Sequence, residues 1–176
     1  MPNPYPETLE TERLHLRLFR AGDIEAYERI IADPEVIRWL GGEPPEDLRR
    51  EAWWSMSMHA GQWVLRGFGI WAVTLRGSDE MIGRAGLWHP VWWPEPEAAW
   101  TFAREHWGKG YATEVGRVAL EVGFSALGLA HAVSYIRHDN ARSIRVAEKL
   151  GGRLEQRTVS HGVETLVYGY SAPARR

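Results

Sequence analysis

Apolar and polar residues alternate along the chain from Leu14 to Leu18, where every second residue is leucine. A period of two is typical of a strand that buries one face. Downstream, Asp23 offers a side-chain oxygen as a helix cap, and apolar residues recur at helical spacing from Ile24 to Ile31 before Pro34 interrupts them. The pattern predicts that the chain opens with a strand followed by a helix.

The rest of the chain predicts further helices and strands in the same way. We expect helices over Glu35 to Leu40, Asp47 to Ala60, Thr113 to Leu127 and Ala141 to Leu150. We expect strands over Phe68 to Leu75, Met81 to Trp88, Glu97 to Ala103, Ala130 to Arg137, Arg153 to Ser160 and Val163 to Tyr170. Turn-forming residues, Arg76 to Asp79 and His161 with Gly162, join two strand pairs as hairpins. The hairpins exclude a purely parallel sheet, so we expect an α/β fold with a mixed sheet and helices on both faces.

Length and charge narrow the class of protein. The 176 residues, 44% apolar and 25% charged, are expected to form a single domain over 1–176, with 1–10 as an N-terminal extension and 171–176 as a C-terminal tail. The 21 basic and 23 acidic residues give a net charge of -2, which does not support binding to nucleic acid or a membrane surface. No apolar run approaches the roughly 18 residues of a membrane span, and the start lacks a signal-peptide pattern. We therefore expect a cytoplasmic protein.

The lack of cysteine and the spacing of the histidines exclude several kinds of site. The chain has no cysteine, which excludes disulfides, thiolate metal sites and a covalent thioester intermediate on the protein. Its seven histidines show no HExxH or other metal-ligand spacing, so we expect no metal.

A glycine-rich segment, Trp107 to Glu114, lies between a predicted strand and the longest predicted helix. Gly108 and Gly110 allow the backbone N–H groups to turn toward one point, and the first helical turn adds unpaired donors and a partial positive charge. The segment predicts a phosphate-binding cradle, while a turn that binds nothing stays an open alternative. P-loop spacing is absent. A dinucleotide fingerprint fails because its third small position falls on Thr113 and no acidic residue lies about twenty residues downstream.

Several segments together resemble a known family. They are Thr11 to Arg17, Ile82 to Leu87, Trp107 to Glu114, Asp139 to Ser143 and Glu148 to Gly151. In this order they are similar to the GNAT superfamily of acetyl-CoA-dependent N-acetyltransferases, and within it to the branch that includes the ribosomal-protein N-terminal (alanine or serine) acetyltransferases. The chain departs from the superfamily pattern at Trp107, where Gln or Arg is frequent, and at Gly152, where an aromatic residue is usual.

The resemblance implies a fold and a co-substrate. The fold is a twisted, mostly antiparallel sheet of about seven strands, whose fourth and fifth predicted strands splay apart around acetyl-CoA. The enzyme would transfer acetyl to a primary amine by direct attack in a ternary complex, without a metal. The pantetheine arm would meet the fourth strand and the pyrophosphate would meet the loop. The implied cofactor-binding residues are Phe102, Ala103, Arg104, Trp107, Gly108, Lys109, Gly110, Tyr111, Ala112, Thr113, Asn140 and Ser143.

The same resemblance implies three catalytic residues. Glu97 aligns with a glutamate that could take a proton from the amine; its alternative is a solvated strand end. Asn140 aligns with an asparagine near the thioester and also suits a helix cap. Ser143 aligns with a serine that donates to the leaving sulfur; its alternative is an ordinary residue of the first helical turn. A backbone N–H near Phe102 could stabilise the oxyanion.

Other ionisable residues keep alternatives open. His89, His106 and His138 are further candidates for the base. Glu114 is expected to complement the helix dipole, although its charge is poorly placed beside a pyrophosphate.

The acceptor and the class of function are less constrained. A protein N-terminal amine, a small amine such as an aminoglycoside or polyamine, and an amino acid all fit the sequence. A non-catalytic acyl-CoA-binding or sensing module is the alternative function, and a dinucleotide enzyme is a third. Dimers are frequent in families like this one, but no seam in the sequence requires a homodimer.

Tryptophan suggests an aromatic acceptor side, because all ten tryptophans lie between Trp39 and Trp107. Trp71, Trp88 and Trp100 fall on strands and are expected in the core. The helices that wall the acceptor site in the superfamily, and the loop before the fourth strand, carry Trp39, Trp53, Trp54, Trp63, Trp92 and Trp93. We expect rings beside the acceptor, suited to a cation or a bulky apolar group, with Trp54 and Trp93 at the cleft.

Overall fold

The computed structural model describes residues 5–42, 45–160 and 162–173. The strands in this part of the chain are β1 (Leu9–Glu10), β2 (Leu14–Arg17), β3 (Ile70–Leu75), β4 (Met81–Trp88), β5 (Glu97–Phe102), β6 (His131–Arg137), β7 (Arg153–Ser160) and β8 (Val163–Ser171). The helices are α1 (Ile24–Ala32), α2 (Pro34–Ile37), α3 (Leu48–Arg66), α4 (Tyr111–Ala126) and α5 (Ala141–Lys149). Short 3₁₀ turns cover Ala21–Asp23, Arg38–Leu40 and Arg104–His106.

The strands form one sheet in the order β1-β2-β3-β4-β5-β6-β8-β7. Neighbouring strands pair antiparallel except β5 and β6, which pair parallel. The expected mixed, mostly antiparallel sheet is confirmed, and it has one strand more than expected. The added strand, β1, pairs Leu9 with Leu16 of β2. Tyr5 is also fully buried and stacks on Trp71 with ring centroids 4.7 Å apart. Within the segment expected as an extension, Tyr5 therefore belongs to the core and Leu9–Glu10 to the sheet.

Helices cover both faces of the sheet, as strand β3 shows. Trp71 and Val73 belong to the cluster that contains Val115 of α4, whereas Ala72 between them belongs to the cluster that contains Tyr27 of α1. Alternate residues of a strand point to opposite faces of a sheet. Helices α4 and α1 therefore lie on opposite sides, and the predicted arrangement is confirmed.

Helix α3 agrees with its predicted start but runs past its predicted end. Asp47 caps it by accepting the Arg50 N–H at 2.9 Å. The helix continues to Arg66 and ends where Gly67 takes the left-handed conformation, with φ +73°. Exposed Trp53 and Trp54 blur its apolar periodicity, which hides the end of the helix in the sequence.

The predicted cap of α1 by Asp23 is wrong. The Asp23 side chain makes no hydrogen bond to the start of α1. Its carboxylate instead accepts two hydrogen bonds from the Arg17 guanidinium, each 2.7 Å long, in an ion pair that is almost completely buried. A buried guanidinium requires a counter-charge, and that requirement prevails over capping here.

Two hairpin turns were predicted from composition. The turn between β3 and β4 contains Gly77 with φ +81°, as its composition indicates. The turn between β7 and β8 contains Gly162 with φ +74°, while His161 lies outside the described residues.

Strands β5 and β6 separate soon after they meet. They pair at Glu97 and Val133, and the Val133 N–H donates to the Pro96 carbonyl at 2.9 Å. The Ser134 hydroxyl then donates to the Ala98 carbonyl at 2.5 Å. Beyond this point β5 follows β4 and β6 follows β8. The splay expected between these two strands is therefore present, and it opens the sheet toward the start of α4.

Candidate active site

A cleft of about 600 Å³ extends from the gap between β5 and β6. A pocket of this size and position is the first place to look for a ligand site. The predicted site residues that line it are Glu97, Phe102, Trp107, Gly108, Gly110, Tyr111, Ala112, Thr113, Asn140 and Ser143. Ala103, Arg104 and Lys109 are not among its lining residues.

The three predicted residues outside the lining have partners within the chain; for Lys109 the partner is Arg13, whose Nη1 donates to its carbonyl. The Ala103 N–H donates to the Ile82 carbonyl, and the Ala103 carbonyl accepts the His106 N–H, both at 2.9 Å. The Arg104 side chain forms an ion pair with Asp33 at 3.0 Å. The predicted pantetheine contact through the Ala103 backbone therefore lacks a free donor, because the sheet already uses that N–H.

Phe102 differs from Ala103 because hydrogen-bonding directions alternate along an antiparallel strand. Since the Ala103 N–H points toward β4, the N–H groups of Phe102 and Trp100 point the other way, toward the gap. Closing the sheet would use these donors. The splay leaves them facing the cleft.

The glycine-rich loop forms a cradle at one end of the cleft. Gly108 and Gly110 take left-handed conformations, with φ +74° and φ +86°. The first helical hydrogen bond of α4 runs from the Glu114 N–H to the Gly110 carbonyl, at 3.0 Å. The N–H groups of the three preceding residues, 111–113, therefore have no acceptor within the helix. Together with the helix dipole they suit an anion.

Three cations on α5 line the cleft and were not predicted as site residues. They are Arg142, Arg145 and Lys149. The Arg142 guanidinium lies over the Trp107 ring, 4.9 Å from its centroid, which fixes it beside the loop. Their spacing at i, i+3 and i+7 on one helix face is the signal that could have found them.

Glu114 is neutralised by residues that precede strand β2. Its carboxylate accepts hydrogen bonds from the Thr11 hydroxyl at 2.6 Å and from Arg13 Nε at 2.8 Å. Arg13 Nη1 also donates to the Lys109 carbonyl at 2.8 Å, which braces the loop. Although burial raises the pKa of Glu114, the hydrogen bonds from Thr11 and Arg13 bring it below its ordinary value. Glu114 is therefore a paired carboxylate, and its charge is offset before any phosphate binds.

Glu97 lies in the cleft wall at the first residue of β5 and is partly buried, which rules out a fully solvated strand end. Trp93 Nε1 donates to its carboxylate at 3.0 Å, and the Tyr135 N–H donates to it as well. Burial raises the pKa of Glu97 to about 7, against the opposing effects of these hydrogen bonds and of the Arg84 charge. A carboxyl group with this pKa exchanges its proton near neutral pH.

Ser143 and Asn140 meet at the start of α5. The Asn140 side chain accepts the Ser143 N–H at 3.1 Å, so the helix-cap interpretation of Asn140 is confirmed, and Asn140 also lines the cleft. Trp100 Nε1 donates to the Ser143 hydroxyl oxygen at 3.3 Å. With its oxygen accepting from Trp100, the Ser143 hydroxyl has its own proton free to donate into the cleft.

The histidines separate into residues inside and outside the cleft. His89 and His138, two of the candidate bases, are not among the lining residues, whereas His106 is. His59 of α3 also lines the cleft, and no sequence motif marks it as a site residue. It is 4% exposed and neither ring nitrogen has a hydrogen-bond partner. Burial, with the nearby Arg84 charge, holds the pKa of His59 well below its usual value.

Half of the tryptophans line the cleft, namely Trp39, Trp88, Trp93, Trp100 and Trp107. Trp71 is fully buried in the core, as predicted, and Trp100 packs against that core while lining the cleft. The same prediction is wrong for Trp88, which is only partly buried and lies outside the core clusters. Trp93 is at the cleft, as expected. Trp54 is instead 59% exposed and stacks against Arg50, outside the lining.

Two negative results concern the described residues alone. They contain no group of three or more His, Cys, Asp or Glu side chains placed to hold a metal ion. None of their helices is both long enough and apolar enough to cross a membrane.

Comparisons with known proteins agree with the geometry. A family model described as an acetyltransferase (GNAT) domain matches residues 13–153. The uncharacterized N-acetyltransferase YoaA of Bacillus subtilis (strain 168) is 32% identical over 173 residues, which cover 94% of this chain and 97% of that protein. The crystal structure of an acetyltransferase from Agrobacterium tumefaciens str. C58 is 34% identical, with a TM-score of 0.83 and 93% of each chain covered.

The branch indicated by the motifs is also among the structural neighbours. The ribosomal-protein-S5-alanine acetyltransferase of Vibrio fischeri has a TM-score of 0.76, with 95% of this chain and 97% of that chain covered. At 16% identity, this likeness concerns the fold.

Proposed function

The chain belongs to the GNAT acetyltransferase family, and on that premise we propose that it transfers an acetyl group from acetyl-CoA to a primary amine by direct attack, with both substrates bound together. The observation that carries the proposal is one continuous cleft that joins an anion cradle to a carboxyl group with a pKa of about 7. The absence of cysteine supports direct transfer over a covalent thioester on the protein. We also propose a cytoplasmic setting.

The residues at the cradle end fit acetyl-CoA. Its pyrophosphate would meet the free N–H groups of residues 111–113, with Arg142 and Lys149 supplying positive charge. Its amide-containing arm would meet the unpaired strand N–H groups in the gap. When bound, the co-substrate supplies a thioester, which is an activated acetyl group.

Glu97 takes the proton from the acceptor amine in this proposal. An ammonium group must lose a proton before its nitrogen can attack, and a carboxylate at the cleft wall can accept that proton directly or through a water. A pKa of about 7 makes Glu97 a stronger base than an ordinary carboxylate while leaving about half of it ionised at neutral pH.

Two further groups act on the opposite side of the transfer. The Phe102 N–H, which faces the gap, stabilises the negative charge that develops on the carbonyl oxygen; losing such a donor usually lowers the rate by about 100-fold or more. The Ser143 hydroxyl, whose oxygen is held by Trp100, donates its proton to the departing sulfur. Asn140 orients Ser143 by capping α5.

The test is an acceptor screen with radiolabelled acetyl-CoA, in which thiol release and labelled product are both measured. We expect release that depends on the acceptor for at least one class of primary amine. Tight CoA binding without release across protein N-terminal peptides, polyamines, aminoglycosides and amino acids would contradict the proposal and favour a non-catalytic acyl-CoA-binding module.

A further inference from the structure

The wall of the cleft that faces the acceptor carries two polar side chains to which the proposed transfer gives no task, His59 of α3 and Arg84 of β4. Each has buried nitrogen without a hydrogen-bond partner: both ring nitrogens of His59, and Nε of Arg84. Unsatisfied buried polar atoms are rare in folded proteins, because each costs free energy. Among the described residues that line the cleft, His106 has one such atom as well, at Nδ1, and His59 and Arg84 are the two on the acceptor side. Their unpaired atoms indicate a ligand group that satisfies them.

Sheet register places Arg84 on the same face as Glu97. Arg84 pairs with Thr101, and Trp88 pairs with Glu97, across β4 and β5. Residues directly opposite each other in an antiparallel pair share a face, and so do residues two or four apart on one strand. The Arg84 charge is near enough to influence both Glu97 and His59. All three side chains line the same cleft, and the His59 ring lies 4.8 Å from the ring of Trp88, the residue that pairs with Glu97.

Arg84 has no counter-ion among the described residues, whereas the buried Arg17 has one. Arg17 is paired with Asp23, and both guanidinium nitrogens lie 2.7 Å from carboxylate oxygens. None of the ion pairs formed by the described residues includes Arg84. A guanidinium presents a planar fork of donors that matches a carboxylate, and a charge partly withdrawn from water favours such a partner.

We propose, resting on the acetyl-transfer function above, that Arg84 binds a carboxylate of the acceptor, with His59 adding a hydrogen bond, so that the acceptor is an amino acid. The amino group then lies toward Glu97 and the carboxylate toward Arg84. The partly buried rings of Trp88 and Trp93 flank this part of the cleft and suit an apolar side chain. A polyamine would bring a second cation toward Arg84, and a peptide N-terminus has no carboxylate beside its amine.

The experiment compares kcat/KM for three matched acceptors: phenylalanine, phenylalaninamide and phenethylamine. The first has a carboxylate, the second replaces it with a neutral amide, and the third removes it. We expect phenylalanine to exceed the other two by about 10- to 100-fold, the range for a hydrogen-bonded charge. A parallel series of alanine, alaninamide and ethylamine separates the carboxylate effect from the aromatic one.

Arg84→Gln should abolish the preference for the carboxylate, with the larger loss for phenylalanine and alanine and expressed mainly in KM. A smaller loss shared by all acceptors is expected, because the Arg84 charge also lowers the pKa of Glu97. Arg84→Lys keeps the charge without the fork and should retain part of the preference. Arg29→Gln is the control, because Arg29 is an exposed arginine paired with Glu80 on the outer side of α1. It should leave the ratio of acceptors unchanged. Thermal unfolding and CoA affinity establish that each variant is folded.

The outcomes separate this inference from the function on which it rests. Equal kcat/KM across each wild-type series, a preference for spermidine or for a peptide N-terminus over the amino acids, or a preference that survives in Arg84→Gln would overturn the amino-acid assignment while leaving acetyl transfer intact. No thiol release with any amine would overturn acetyl transfer itself. The wild-type series decides the matter even where a variant fails to fold.

Discussion

The two ends of the cleft are made from different kinds of group. The cradle end uses backbone N–H groups at the start of α4, together with cations on the next helix. The acceptor end uses side chains from α3, β4, β5 and the loop before β5, among them Glu97, the proposed base, and His59 and Arg84, the proposed acceptor-binding residues. In the proposed reaction, backbone groups bind the co-substrate that the family shares, whereas side chains bind the acceptor.

Glu97→Gln tests the acceptor end most severely. We expect kcat at pH 7 to fall by about 100-fold or more, because the amine loses its proton acceptor. In the wild type, activity should rise as the pH increases through about 7, since the base must be deprotonated. The variant should lack this inflection and approach the wild-type rate only at high pH, where the amine deprotonates by itself.

Glu95→Gln is the control for that measurement. Glu95 lies two residues away, is paired with His131 and does not line the cleft. It should retain both the rate and the inflection. A constant ratio of Glu97→Gln to wild-type rates across the pH range would remove Glu97 as the base.

Gly110→Ala tests the cradle end. Its φ of +86° is unfavourable for a residue with a Cβ, and the added atom would lie 3.3 Å from Arg13 Nη2. We expect the affinity for CoA, measured by calorimetry, to fall by roughly 10-fold as the loop relaxes, since the strain is about 1–2 kcal/mol. The rate at saturating acetyl-CoA should change less.

Gly77→Ala is the control, because it introduces a similar backbone strain away from the cleft. Gly77 has φ +81° in the turn between β3 and β4, and its added Cβ would contact nothing within 4 Å. It should lower thermal stability by a similar amount and leave CoA affinity unchanged. Equal CoA affinities for Gly110→Ala and Gly77→Ala would contradict the cradle.

Ser143→Ala tests the junction of the two ends. The hydroxyl is held by Trp100 and belongs to the residue that Asn140 caps. We expect kcat to fall by about 10-fold and CoA affinity to change little, because a thiolate with a conjugate-acid pKa of about 8.5 can leave without a donor. Since alanine keeps the backbone N–H that Asn140 accepts, the variant isolates the hydroxyl. Unchanged kcat would assign Ser143 to the helix start alone.

The contrast between the ends also explains what the sequence could predict. Gly108 and Gly110 lie within a few residues of the helix they serve, so a local pattern predicts both the turn and its free N–H groups. Thr11 and Arg13 belong to a segment that resembles the family, but the sequence alone shows no physical role for them. The structure shows that role, because both side chains donate hydrogen bonds to Glu114, about a hundred residues away.

The acceptor end was predicted less well because its residues meet only in the folded chain. His59 looks like an ordinary polar residue of a helix with little amphipathic pattern, and Arg84 looks like a polar interruption in an apolar strand. Trp88 is expected in the core because large aromatic residues on strands usually pack there, and the sequence does not show that this residue of β4 lines the cleft. The environment of Glu97 likewise depends on contacts made in the folded chain, with Trp93, which donates to its carboxylate, and with Val133 of β6, which pairs with it.

The smallest expected effect is on the free energy of unfolding, which should depend on pH in opposite directions for Glu97 and Glu114. Burial raises the pKa of Glu97 to about 7, so its ionisation opposes folding, and stability is lost as the pH rises from its unfolded pKa toward 7. The pKa of Glu114 is lowered, so its ionisation favours folding, and stability is lost as the pH falls through its folded pKa. Glu97→Gln should therefore raise the free energy of unfolding at pH 8, by on the order of 1–2 kcal/mol after allowance for partial exposure, and leave it nearly unchanged at pH 4. Glu114→Gln should lower it at pH 8 by an amount that shrinks toward acid. Thermal unfolding at both pH values measures the direction of each change in the free energy of unfolding. If both variants change it in the same direction, the two carboxyl groups do not lie in opposite environments, and this contrast between the two ends is lost.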